Sequence, residues 1–341
     1  MRAMVLRRLA QLPETRDPLE LVDLPDPEPG PREVRIRVAV CGVCHTEIDE
    51  IEGRAAPPRL PVVLGHQIVG RIDQVGHQVT QLEIGQRVGV GWIHSACGAC
   101  PYCADGRENL CERFAATGRD ANGGYAELAI AQERFAVPLP EKLSDLDAAP
   151  LLCAGAIGYR SLRLAGLRDG QRLGLSGFGA SAHLVLKMAR HVYPASPIYV
   201  FARNTREQEF ARELGADWAG GSDDRPPRRL HATIDTTPAW RPVLASLAQL
   251  EPGGRLVINA IRKEAGDAEA LQHLDYPTQL WLEKEIKSVA NVTRRDLEEA
   301  LALAARVPIR PEVQTFRLEE ANRALLELKE RKIRGAKVLV I

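Results

Sequence analysis

The sequence predicts an α/β protein in two parts, a β-rich domain and a domain built on a doubly wound parallel sheet. Three observations carry that reading. Short Val/Ile-rich segments separated by Gly and Pro fill the chain from Met1 to about Pro140. Strand and helix patterns then alternate, as they do where crossover helices join parallel strands. Between the first alternating strand and its helix stands a glycine turn, SGFGASAH. At 341 residues the chain is long enough to bury separate cores in two domains.

Taken in order, VRIRVAV, QIVGRIDQVG and RVGVGW read as strands, and the proline-rich stretch Pro25 to Pro31 is too stiff for a helix. Ser144 opens a helix through SDLDAAPLLCAGAIGYRSLRLAG, with Asp147 three residues on as its capping partner. Arg172 to Ser176 is a strand and Ala182 to Arg190 a helix. Ile198 to Phe201 is a strand, followed by a helix through REQEFARELGA. Ala232 to Asp235, the helix VLASLAQL and the strand RLVINA complete the alternation. After about Ala290 come helices over RDLEEALALAARV and LEEANRALLELKER and a last strand, AKVLVI. That tail is too short for a domain of its own and is expected to pack back on the first. The expected division is 1–150, 151–290 and a return segment 291–341.

The cysteines divide into two sets. Cys97, Cys100, Cys103 and Cys111 stand in CGACPYCADGRENLC with spacing C-x2-C-x2-C-x7-C. Four thiolates in one short run suit a closed tetrahedral zinc site. Cys44 in CGVCHTE, His66 in LGHQIVG and Cys153 in PLLCAGAIGY are dispersed. Three ligands leave one position open, the form zinc takes in catalysis. Taken singly, each is more simply a packing residue, and Cys41 is read as one. Paired disulfides are the alternative for the four-cysteine run in a secreted protein. The opening MRAMVLRRLAQLPETRD has no long apolar core with a small-residue cleavage site, so a cytoplasmic location with reduced thiols is expected.

The glycine turn spells Gly177-x-Gly179-x-x-Ala182. The first glycine makes a tight turn, the second admits a pyrophosphate, and the small third residue lets helix and strand approach. Its place between a strand and a helix supports dinucleotide binding over an ordinary turn. An acidic residue ending the next strand would bond a ribose 2′-hydroxyl. Here the strand ends YVFARNTRE, without a carboxylate. Arg203, with Arg206 after it, therefore points to a 2′-phosphate and to NADP(H) over NAD(H).

Lys plus Arg, 45, equals Asp plus Glu, 45, so no global field attracts nucleic acid or an anionic membrane. The run Arg225 to Arg229 is interrupted by prolines and reads as a solvated loop, and no apolar stretch is long enough for a membrane span. His94, His183, Trp240 and Trp281 are read as structural or surface residues.

With both cysteine sets and the fingerprint in view, the chain resembles the zinc-containing medium-chain alcohol dehydrogenases, nearly end to end. The carriers are CGVCHTE, GHQIVGRIDQVGHQV, the four-cysteine lobe, GGYAEL, PLLCAG and GFGASAH; PLLCAGAIGYRSL with GFGASAH looks most like the cinnamyl-alcohol-dehydrogenase-like bacterial branch. The resemblance implies a GroES-like β-rich catalytic domain and a Rossmann domain inserted in it. It implies a catalytic zinc on Cys44, His66 and Cys153 and a structural zinc on the lobe at 97–111, two ions per subunit. It implies Thr46 as the hydroxyl that takes the alcohol proton, His45 near the cofactor pyrophosphate, and Trp92 lining the substrate pocket. It implies hydride transfer between NADP(H) and a small-molecule alcohol or aldehyde, in a homodimer or homotetramer.

Three positions depart from the family pattern. Gln67 replaces a Glu after the zinc histidine, making the site less negative. Glu47 replaces an Asp partner of that histidine, a longer arm that alters how the ligand is oriented. Asp49 replaces a relay histidine, so proton relay there falls to a carboxylate. Two rival readings accompany this one: a zinc-independent quinone or enoyl reductase of the same superfold, and a non-catalytic zinc and nucleotide-binding redox sensor.

Overall fold

The computed structural model describes residues 1–307, 309–330 and 335–341. The chain falls into two compact units, 1–153 with 292–341 and 154–291.

The first unit opens with β1 (Arg2–Leu6) and β2 (Leu19–Asp23), then the long β3 (Glu33–Val43) and the short helix α1 (His45–Ile51). β3 follows the period of two over its first half: Val34, Ile36 and Val38 are buried while their neighbours are less so. β4 (Val62–Val63), β5 (Ile68–Val75), β6 (Arg87–Val90) and β7 (Ile93–Ser95) follow, then α2 (Pro101–Ala104), β8 (Ala115–Ala116), β9 (Leu128–Gln132), β10 (Ala136–Pro138) and α3 (Asp145–Pro150). β3 pairs antiparallel with β5 and also with β9, so it is the spine of this unit. Its register against β5 shifts at Val38/Val40, just before the strand delivers Cys44.

Ser144 caps α3, its hydroxyl accepting from the Asp147 backbone N–H at 3.1 Å. The sequence reads one regular helix from here through Ala165. The structure instead inserts a π-turn, Leu151–Gly155, before α4 (Ala156–Ala165). Pro150 lacks an N–H, so the regular bonding pattern breaks there. Cys153 sits in the π-turn, a feature that recurs at functional sites.

The second unit continues with β11 (Leu173–Ser176), α5 (Ala180–Val192), β12 (Ile198–Phe201), α6 (Thr205–Glu213), β13 (Trp218–Gly220), β14 (Leu230–Asp235), α7 (Arg241–Ala248), β15 (Leu250–Ile258), α8 (Tyr276–Gln279) and β16 (Glu285–Ser288). Every pairing is parallel, in the order β13-β12-β11-β14-β15-β16. The chain steps outward from β11 to β13 and crosses back to β14. The topological switch point therefore lies at the carboxyl ends of β11 and β14, where open α/β sheets bind ligands. The outermost strands, β13 and β16, carry no strand signal in the sequence. β13 is only three residues, too short to show a period, and β16 is exposed on all four of its residues and needs no apolar run.

The last segment returns to the first unit with α9 (Arg294–Arg306), β17 (Val313–Arg317), α10 (Ala321–Lys329) and β18 (Ala336–Val340). β18 pairs antiparallel with β3, register Cys41↔Leu339, and parallel with β17. Its Leu339 joins β1, β3 and β5 residues in the main apolar core. The sequence reading carries the last helix to Arg331, which lies outside the described residues.

Candidate metal and nucleotide sites

Cys44 is the N-cap of α1, and its sulfur accepts from the Thr46 backbone N–H at 3.4 Å. Glu47 closes the capping box: its Oε2 accepts from the Cys44 N–H at 2.8 Å. Its other oxygen, Oε1, stands 2.6 Å from Nδ1 of His66. A glutamate can span both contacts; both it and His66 are buried. The longer arm thus ties the cap of α1 to the orientation of the histidine.

His66 sits in the loop before β5, after Gly65 at φ +96. A Cβ on Gly65 would lie 2.4 Å from the Tyr125 ring and 2.9 Å from the Cys41 sulfur, so only glycine fits. With Nδ1 toward Glu47, Nε2 faces the Cys44 sulfur at 3.7 Å. The π-turn brings up Cys153, and donor atoms of Cys44, His66 and Cys153 all lie within 4.8 Å of one another. Zinc bonds of about 2.3 Å to sulfur and about 2.0 Å to nitrogen put tetrahedral donors roughly 3.5–3.8 Å apart, so the set fits one zinc ion. Electrostatics agree: the Cys153 sulfur, burial and Glu47 push the Cys44 thiol well above its ordinary range. Burial works to lower His66, but Glu47 and Cys44 raise it well above its ordinary value. A cation relieves both.

Around this set, Trp92 is buried and meets the His66 ring edge-on at 4.9 Å. Thr46 is half-buried, and His45 is exposed at the first position of α1. Asp49 is buried and its Oδ1 accepts from Nε of Arg54 at 2.6 Å. Gln67 is buried with its amide over Gly42, where a Cβ would lie 2.4 Å from Oε1. Sequence reasoning passed over Glu50, which sits in a charged run resembling a solvated face. It is fully buried, and neither carboxylate oxygen has a hydrogen-bond partner among the described residues. Burial and then Glu47 push its carboxyl well above the usual range.

The other cysteines converge in a lobe between β7 and β8. Donor atoms of Cys97, Cys100, Cys103 and Cys111 lie within 4.8 Å of one another, and the Cys97 and Cys103 sulfurs are 3.8 Å apart. A disulfide needs about 2.05 Å, whereas tetrahedral thiolates about one zinc stand roughly 3.8 Å apart. All four thiols are free. Backbone N–H groups of Ala99 and Cys100, with Arg113, hold Cys97 down at about 5. Burial pushes Cys103 up to about 12. The lobe also reaches the return segment: Oε1 of Glu108 accepts from the Arg294 N–H at 2.7 Å.

In the second unit, Gly177 follows β11 with φ +81, and a Cβ there would lie 2.8 Å from Thr236 Oγ1. Gly179 is the N-cap of α5, and a Cβ there would meet nothing within 4 Å, so the backbone is open for a ligand. Ala182 is fully buried within α5. Strand β12 ends at Phe201 and buried Ala202, with Arg203 and Arg206 exposed beyond. Asn204 is taken up as the cap of α6, its Oδ1 accepting from the Glu207 N–H at 2.9 Å. A pyrophosphate fits at the start of α5, and nothing at the end of β12 supplies a carboxylate.

A parallel sheet with a glycine turn at its switch point, in a chain that also brings together three residues able to hold a metal ion, points to the oxidoreductase class. The GroES-like domain of alcohol dehydrogenases matches residues 30–141. A probable alcohol dehydrogenase, AdhA, of Mycobacterium tuberculosis (strain CDC 1551 / Oshkosh) is 40% identical over 334 residues, covering 96% of this chain and 94% of that protein. The alcohol dehydrogenase of the hyperthermophilic archaeon Aeropyrum pernix superposes with a TM-score of 0.84 at 26% identity, with 100% of each chain covered. A cinnamyl alcohol dehydrogenase of Sorghum bicolor superposes with a TM-score of 0.82 at 26% identity, covering 99% of this chain and 97% of that one. The chain belongs to the zinc-containing medium-chain alcohol dehydrogenase family. Its activity is accordingly that of an alcohol dehydrogenase on small molecules. No helix among the described residues is long and apolar enough to cross a membrane.

Proposed function

We propose that the protein is a cytoplasmic zinc-dependent alcohol dehydrogenase and aldehyde reductase that uses NADP(H). The observation that carries the zinc chemistry is the convergence of Cys44, His66 and Cys153, three donors that leave a fourth tetrahedral position for substrate. A zinc ion held by these three residues would supply Lewis acidity, making an alcohol more acidic or a carbonyl more electrophilic. The nicotinamide supplies the hydride acceptor or donor. The rest belongs to this chain. Glu47 keeps Nδ1 of His66 protonated and Nε2 free as the ligand atom. Thr46 takes the proton from the alcohol hydroxyl during oxidation and returns it during reduction, and Asp49 passes that proton onward. Trp92 lines the substrate pocket and excludes water.

Gly177, Gly179 and Ala182 hold the nucleotide at the start of α5. Arg203 and Arg206 select the 2′-phosphate; the absence of a carboxylate at the end of β12 supports that choice. Cys97, Cys100, Cys103 and Cys111 hold a second, structural zinc. Self-association into a homodimer or homotetramer is supported by β16, an outer strand exposed along its length, with Tyr276, Trp281, Leu282 and Ile286 exposed beside or on it.

The test is the initial rate of benzaldehyde reduction by the zinc-replete protein with NADPH and, in parallel, NADH. Faster turnover with NADPH is expected. Faster turnover with NADH overturns the Arg203 assignment and keeps the enzyme class. Nucleotide binding with no turnover across alcohols and aldehydes returns the reading to a redox sensor, and activity that survives zinc removal returns it to a zinc-independent reductase.

A further inference from the structure

Lys263 lies beyond β15, in a stretch without any motif. It is nearly buried, its side chain 7% exposed, and it pairs with Asp235 at the end of β14, whose side chain is 0% exposed. Its ammonium also donates to the carbonyls of Thr237 at 2.8 Å and Ala239 at 3.0 Å. All three of its donors are thereby used. The second oxygen of Asp235 accepts from the Thr237 hydroxyl at 2.8 Å. The backbones add another link, with the Glu264 N–H donating to the Pro238 carbonyl at 2.7 Å.

The loop held in this way, Thr236 to Ala239, rests on the fingerprint turn. The backbone N–H of Thr236 donates to the Ser176 carbonyl at 2.9 Å and its hydroxyl donates to the same oxygen at 3.1 Å. The room for a Cβ at Gly177 is taken by Thr236 Oγ1 and by Thr237 Cγ2, at 2.8 and 3.0 Å. Loops after β14 and β15 at the switch point are thus clamped together and pressed against the glycine that opens the nucleotide site.

We infer that Lys263 is a positioning residue for the nucleotide: its pairing with Asp235 clamps the 236–239 loop and fixes the shape of the Gly177 turn. The inference rests on the reading of that turn as a dinucleotide site. Its action is on cofactor affinity, not on the chemistry at the metal.

The test is Lys263→Met in the full-length, zinc-loaded protein. It is expected to raise the KM and Kd for NADPH about tenfold, with kcat at saturating cofactor within about twofold of wild type and zinc content unchanged. A pair that serves only stability would lower the melting temperature and leave the Kd alone. Because Asp235 is then buried without its partner, Thr237→Val and Lys263→Arg accompany it. Thr237→Val removes one hydroxyl and no charge, and should raise the Kd about threefold. Lys263→Arg keeps the charge and should recover much of the affinity. Unchanged Kd values in the variants that fold overturn the inference while leaving the dehydrogenase reading intact. Wild-type protein that binds neither NADPH nor NADH overturns that reading and this inference with it.

Discussion

At the residue scale, Glu47 does two things that a shorter carboxylate would divide. One oxygen caps α1 through the Cys44 N–H and the other meets His66. The sequence shows that a longer arm stands at this position; only the coordinates show both ends in use. Outer partners of metal ligands are worth roughly 10–100-fold in metal affinity or activity. Glu47→Gln keeps the length and removes the charge. It is expected to lower zinc affinity at the Cys44 site and kcat by that order, while the zinc of the four-cysteine lobe stays bound. Zinc titration against a chromophoric chelator reads this directly. Wild-type affinity in the variant would mean that the 2.6 Å contact does not orient the ligand.

At the element scale, α1 is only seven residues long, far below the length at which a helix is stable alone. Its ends explain how it persists. Cys44 and Glu47 close the N-terminus. At the other end Glu52 is the C-cap, its side chain 1% exposed, bound to Lys329 of α10 at 2.8 Å and also to Arg54. It also accepts from the Leu12 N–H at 3.1 Å. Burial pushes the Glu52 carboxyl up, but Lys329, Arg54 and the Leu12 N–H together hold it below its ordinary 4.5. A lowered folded-state value means the ionised form is the one the fold prefers. The stability it contributes is full above the unfolded value near 4.5 and is lost as pH falls through the folded value. Glu52→Gln should therefore cost about 2 kcal/mol at pH 7. In urea titrations the gap between variant and wild type should narrow steadily below pH 4.5. A gap that stays constant down to acid pH counts against the ion-pair account.

At the scale of the whole molecule, the two units have different unfinished business. The first takes the return segment into its sheet, with β18 between β3 and β17. The second leaves β16 as an outer strand, paired on one side with β15, with Ile286 exposed at 46% and Trp281 at 54%. Unpaired backbone groups beside exposed apolar side chains invite a second chain. A homodimer formed through this edge would bury them in a symmetric contact. On the proposal that the protein self-associates through this edge, Ile286→Lys places a charge there and is expected to give monomers in light scattering where the wild-type protein is expected to give a dimer or tetramer. Unchanged assembly in the variant moves the contact elsewhere.

Much of the architecture was legible because it depends on local chemistry. Alternating strand and helix patterns mark a parallel sheet wherever they occur. Clustered cysteines mark a metal through donor type and spacing, and the glycine turn marks a nucleotide through the room it leaves. Edge strands β13 and β16 were not legible: β13 is three residues, Trp218–Gly220, too short to show a period, and β16 is exposed on all four residues, so neither an apolar run nor an alternation marks it. The π-turn at Cys153 was not legible either, because an apolar run reads as helix whatever its bonding pattern.

By itself, then, the sequence determined the fold class and which residues are candidates for a metal and for a nucleotide turn, for those follow from residue type, pattern and family resemblance. Tertiary structure alone decided which distant groups meet. Glu52, the C-cap of α1, finds Lys329 of α10 across a separation of 277 residues and Lys263 finds Asp235 across 28. The physical reason is that such contacts are formed by packing between elements. No local period or spacing encodes which buried charge will be left facing which.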